Sequence, residues 1–285
     1  MLDDSYLVRG LNALSRAHLG HYFADGHRGG AIVSACYLCR ENPVEAGVAE
    51  AIAALIDHHW SHTDLCAPFP KEPADPSLLG RVAAALEASI GRLRQAGHNV
   101  ILPTLALKAF ADVPDAITPS RVDGVCRLIE AFQPFDDVAL DQAEPIPDFG
   151  AREPMAEFIL AETLRTIEAF VGRGQGWSGH MLTYGRALID LAELGYSELA
   201  ARGHHAFKLY ITRTRMGPLA TDRTIPEHPP IDALPLELAY WERRGQSPVG
   251  IGHCFKYPYG FYGLLALNRD PGLEAKCLAE CYHVF

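Results

Sequence analysis

Apolar residues recur along most of the chain at the three-to-four-residue spacing of an amphipathic helix, and alternating strand patterns are almost absent. Leu78 to Leu93, Met155 to Val171 and His180 to Leu194 all read this way. Pro and Gly interrupt these segments at short intervals. Asn42-Pro43, Thr118-Pro119 and Asp270-Pro271 have the form of helix starts with Pro in the first turn. The pattern therefore predicts an all-α chain.

A repeat lies inside the pattern. The pair Gly-His recurs at 26–27, 97–98, 179–180 and 252–253, each time opening an apolar helical run, and two further pairs stand at 20–21 and 203–204. The spacing of about 70 to 80 residues suits a supersecondary unit of several helices. Pro103 and Pro258 each lie five residues after the histidine, and Tyr184 and Tyr257 each lie four after it. An amphipathic helix precedes each pair, near 5–20, 77–95, 153–171 and 233–244. Another follows, starting near Pro43, Pro119, Ser197 and Pro271. The expectation is four three-helix repeats, about twelve helices, with units at roughly 1–62, 76–133, 152–213 and 232–285 of a single domain, 1–285. The simplest closure is an α-helical toroid with the Gly-His helices inside, and an open solenoid is the competing form. Pro- and Asp-rich stretches at 63–76, 134–152 and 214–232 separate the units as rims or lids.

Composition narrows the function. A formal net charge of −10 with no Lys/Arg run argues against a nucleic-acid surface. The acidic start, Met1-Leu2-Asp3-Asp4, does not read as a signal peptide, and no apolar run is long enough to span a membrane. Seven scattered cysteines do not form an extracellular disulfide framework, so a cytoplasmic location is expected.

The candidate chemistry centres on the repeats. A histidine in the first turn of a helix is disfavoured as imidazolium by the helix dipole, and neutral imidazole is the form that binds metals or accepts a proton. His27, His98, His180 and His253 would then form a ring at one mouth of a closed toroid. Arg28, Asn99, Thr183 with Tyr184, and Lys256 with Tyr257 accompany them. The alternative is a set of structural histidines reused because every repeat needs one.

The fourth unit adds Phe255, Tyr259, Phe261 and Tyr262, which suit either a pocket for a flat apolar molecule or a packed core. Other clusters carry less. His58 and His62 are spaced for one helical face but lack the Glu of a zinc-protease motif. His204, His205 and His283 are isolated candidates to complete a site. Asp136, Asp137 and Asp141 have the form of a magnesium-binding carboxylate run, without a basic set to receive a diphosphate. Cys36-x-x-Cys39 lies within an apolar helical run and reads as core. Nucleotide-binding signatures are absent from the sequence, so no nucleotide cofactor is expected, and the two Glu-x-x-His motifs of a di-iron bundle are not present as a set.

These residues point to an enzyme for a small, largely apolar or aromatic molecule in a histidine-lined cavity. In its metal-dependent oxidoreductase form, iron or zinc is held by His27, His98, His180 and His253. Tyr184, Tyr257 and Lys256 are the accompanying catalytic candidates. The alternatives are a metal-free His/Tyr acid–base enzyme (an isomerase, cyclase or hydrolase) and a non-catalytic helical-repeat binding protein.

Overall fold

A computed structural model describes residues 2–135, 145–173, 176–222, 224–245 and 247–285. Among these the chain is all-helical, with twelve α-helices and no strand. In chain order they are α1 (Asp4–Arg16), α2 (Tyr22–Glu41), α3 (Val48–Ile56), α4 (Leu79–Ser89), α5 (His98–Asp112), α6 (Pro119–Ala131), α7 (Arg152–Phe170), α8 (Gly176–Glu193), α9 (Ser197–Arg215), α10 (Leu238–Arg244), α11 (His253–Leu265) and α12 (Pro271–Glu280). No described helix is long and apolar enough to cross a membrane.

The Pro signals hold at α6 and at α12, where the Asp270 carboxylate caps the N–H groups of Gly272 and Leu273. They fail at Pro43. The α3 helix opens five residues later, at Val48, and the Glu45 carboxylate is engaged instead in accepting the N–H of Leu238 at the start of α10.

Two compact units divide the chain. The first comprises 1–89, 102–132 and 232–259. Here α1 buries Leu7, Leu11 and Leu14, and the Asp3 carboxylate caps it by accepting the Ser5 N–H. Helix α2 is almost wholly enclosed, since only Arg28 is left uncovered between Gly26 and Cys39. Small residues allow this. A Cβ on Gly29 would stand 2.7 Å from the Leu14 nitrogen of α1, and one on Gly124 of α6 would collide with the Ser15 carbonyl. The second unit comprises 90–101, 133–231 and 260–285. Its enclosed helix is α8, buried from Ser178 to Leu191 and packed against α7 and α9. The Glu162 carboxylate of α7 accepts from both Arg215 Nε (3.0 Å) and Nη2 (2.9 Å) of α9, a two-pronged tie between those helices.

Candidate functional site: two histidine pairs

The Gly-His pairs do not all open helices, which corrects the sequence reading. His98 and His253 are the first residues of α5 and α11, whereas His27 is the sixth residue of α2 and His180 the fifth of α8. In α2 the helix starts earlier because His21 is its cap. The His21 Nδ1 accepts the Ala24 N–H (3.2 Å), and the Asp25 carboxylate accepts the His21 N–H (3.0 Å). This reciprocal capping was not legible because His is not a usual capping residue.

The glycines of the two helix-opening pairs are needed for backbone geometry. Gly97 has φ 87° and Gly252 has φ 89°, in the left-handed region. Gly97 carries the Tyr184 ring directly on its backbone, and Gly252 lies against Ala31 and Trp60, so neither position has room for a Cβ. Gln95 and Ala96 also hold positive φ, 40° and 59°, so the entry to His98 is strained.

Within each unit one early-turn histidine meets one helix-opening histidine. In the first unit His27 and His253 touch edge to face, with ring centroids 5.1 Å apart. In the second, His98 and His180 do so at 4.5 Å. Three of the four share one tether. His27 Nδ1 donates to the Phe23 carbonyl (2.6 Å), His180 Nδ1 to the Gly176 carbonyl (2.6 Å), and His98 Nδ1 to the Gln95 carbonyl. A carbonyl only accepts, so in each neutral ring the proton sits on Nδ1 and Nε2 carries the lone pair. His27, His98 and His180 are buried, and His253 is half-buried.

The first unit surrounds its pair with polar groups. On α11, His253, Lys256 and Tyr257 follow at i, i+3 and i+4 and share one helical face. The Tyr257 ring stacks on His253 with centroids 4.6 Å apart and planes 11° apart. Lys256 is completely buried, and its Nζ has no hydrogen-bond partner among the described residues. Burial holds its amine well below the ordinary value. Its stem crosses α2 at Gly30, three residues after His27, where Lys256 Cδ would lie 3.7 Å from an added Cβ. The close approach that Gly30 permits is that of Leu102, whose Cδ2 would stand 2.6 Å from an added Cβ, a role that sequence reasoning missed.

The second unit's pair sits in less polar company. The Tyr184 hydroxyl is buried without a hydrogen-bond partner among the described residues, and burial pushes it well above its ordinary value, as it does Tyr257. Thr183 Oγ1 turns back to the carbonyls of Gly179 (3.4 Å) and His180 (3.5 Å).

Other sequence candidates lie elsewhere. Arg28 pairs with Asp25 at 2.6 Å and faces a cleft of about 480 Å³ lined also by His59, Trp60 and the 248–250 turn. His58 lies within a π-helical turn and His62 just after it; both are exposed, and His62 Nδ1 donates to the Asp57 carbonyl. His204 Nε2 reaches the carbonyls of Ile146 and Pro147, and His283 lies 3.5 Å from Glu280. His205 is exposed. Asp136, Asp137 and Asp141 lie outside the described residues. Cys36 and Cys39 are buried in α2, as expected of core.

Comparison with protein-family models, with curated proteins and with solved structures gives no match.

Proposed function

We propose that the chain is an enzyme acting on a small, largely apolar molecule, with His27, His98, His180 and His253 as ligands of a transition metal, iron or zinc. The reading keeps the toroidal closure expected from the four Gly-His repeats and a cytoplasmic location. The observation that carries it is the shared tether, in which three of these rings hand Nδ1–H to a main-chain carbonyl and keep Nε2 as the lone-pair nitrogen. This is how metal-binding imidazoles are usually oriented from behind. An all-imidazole donor set suits iron or zinc better than magnesium or calcium.

A bound metal would supply Lewis acidity or activate oxygen or water. The chain's own groups would position and exchange protons. Tyr257 fixes the plane of His253, Lys256 offers an amine held low by burial, and the Tyr184 hydroxyl remains protonated as a donor.

The test is metal content of untagged protein, measured beside two double variants, His27→Ala/His253→Ala and His98→Ala/His180→Ala. Near-stoichiometric iron or zinc that is lost from folded variants is expected. Metal-free wild type that also resists reconstitution would sink the metal reading. The second reading, a metal-free acid–base enzyme, then stands on the buried, unpartnered amine of Lys256. Retained activity in Lys256→Met would remove that reading and leave the non-catalytic alternative.

A further inference from the structure

A second site lies in the first unit, on the face of α1 turned away from α2. Ser5, Val8, Arg9 and Asn12 recur at i, i+3, i+4 and i+7 and form the floor of a cleft of about 640 Å³. That is within the range of small-molecule sites. The turn carrying Asp57 and Ser61 forms one wall, and Ala67, Pro68 and Arg121 of α6 form the other.

The arginines here are not all directly paired. Arg9 is balanced, since its Nη1 meets Asp57 at 2.8 Å. Arg16 and Arg121 have no such direct partner. Neither has a carboxylate within 4.0 Å among the described residues, and both bond only neutral oxygens. Arg16 donates to the carbonyls of Ala67 (2.5 Å) and Pro68 (3.1 Å). Arg121 Nε donates to Asn12 Oδ1 (2.8 Å), and its Nη1 reaches Thr118 Oγ1 (3.3 Å). The two guanidinium groups share one aromatic ring, lying 3.9 Å and 5.1 Å from the centroid of Phe69.

Burial, then the neighbouring Arg16 charge, hold the Arg121 guanidinium below its ordinary value against the opposing charge of Glu72. Asn12 fixes the arrangement from beneath. It is 2% exposed and also donates through Nδ2 to the Cys66 carbonyl (3.3 Å). Two neighbouring guanidinium groups beside a cleft, neither in a direct ion pair and with only the longer-range charges of Asp64 and Glu72 opposite them, are unexpected in a chain of net charge −10.

We propose that this cleft binds a small oxyanion, a carboxylate or phosphate group carried on an apolar body, with Arg121 as the principal ligand-binding residue. Guanidinium is the side chain that grips a planar or tetrahedral oxyanion with paired N–H donors. Val8, Ala67 and Pro68 provide an apolar lining for the rest of the molecule. The proposal does not depend on the histidine pairs or on a metal, and it can fail without touching that reading.

The experiment is calorimetric titration of the full chain with inorganic phosphate and with benzoate, each against chloride at equal ionic strength. Two variants are run alongside. Arg121→Gln removes the charge. Ser5→Glu adds a carboxylate at an exposed lining position of the cleft; it loses the Ser5 Oγ bond to Asp3 and keeps the Ser5 backbone N–H that the Asp3 cap accepts. Saturable binding of either anion to wild type is expected, weakened about tenfold or more in both variants, which is a free-energy loss of about 1.4 kcal/mol. Phosphate alone would mark a phosphorylated ligand, and benzoate alone a carboxylate. If Arg121→Gln does not fold, Ser5→Glu decides. Wild type that treats both anions like chloride, or a Ser5→Glu protein that binds as wild type does, overturns the proposal.

Discussion

Lys256 is a residue at which the structure gives up stability. Its amine is fully buried with no hydrogen-bond partner among the described residues, and an unsatisfied buried polar group costs about 1–3 kcal/mol, more when charged. Methionine has a similar unbranched reach and would preserve the packing of the stem over Gly30 without the amine. Lys256→Met is therefore expected to raise stability by about 1–3 kcal/mol, read from denaturant unfolding. The pH dependence gives a second check. A lysine whose folded-state value lies below the ordinary 10.5 is bound to fewer protons in the folded state, so it penalises folding fully at low pH. The advantage of the variant should shrink as pH rises toward 10.5. A variant less stable than wild type at neutral pH would show that the amine has a stabilising partner, and would remove the case for it as a functional group.

At the scale of elements, helix spacing is set by glycines whose importance depends entirely on what faces them. Gly124 on α6 and Gly80 on α4 are both helical glycines in the first unit. A Cβ at 124 would strike the main chain of Ser15, which cannot move aside as a side chain would, while a Cβ at exposed Gly80 meets nothing within 4 Å. Gly124→Ala is expected to destabilise by about 3 kcal/mol or more, and Gly80→Ala to stabilise by about 0.5–1 kcal/mol through the helix propensity of alanine. Thermal unfolding of the two variants checks both, and equal effects would refute this account of the α1–α6 contact. Periodicity and punctuation revealed the helices themselves, because 3.6-residue spacing and Pro at a first turn are local signals. The start of α2 was hidden because His21, rather than a serine or aspartate, caps it. The start of α3 was hidden because Pro43 signals a turn there and the helix waits until Val48. The role of Gly30 and the pairing of Arg16 with Arg121 across Phe69 were also invisible, because each depends on a segment distant in sequence.

For the molecule as a whole, cysteine chemistry provides a global test of how the core is closed. All seven cysteines are free and buried, so none is a cross-link and each thiol must stay protonated to remain in place. Burial pushes Cys36 and Cys281 up to about 12, and Cys39, Cys66 and Cys277 up to about 11, from an ordinary 9.0. The sign follows from proton counting. Above pH 9 the unfolded chain sheds thiol protons that the folded chain keeps, so the stability held by the neutral thiols is complete below 9 and is lost as pH rises through 11 and 12. Tyr6, Tyr37, Tyr184 and Tyr257, all raised chiefly by burial, act in the same direction at higher pH. Lys256, Arg16 and Arg121, whose values burial lowers, act in the opposite direction. Three results are therefore expected together. A thiol reagent labels none of the cysteines in the native protein at neutral pH and all seven after denaturation. The melting temperature is the same with and without reductant. Stability against urea falls steadily above pH 9. Rapid labelling of even one thiol in the native state at neutral pH would mean that the burial governing these titrations is breached by local opening, and the alkaline loss should then begin nearer the ordinary thiol value for that residue.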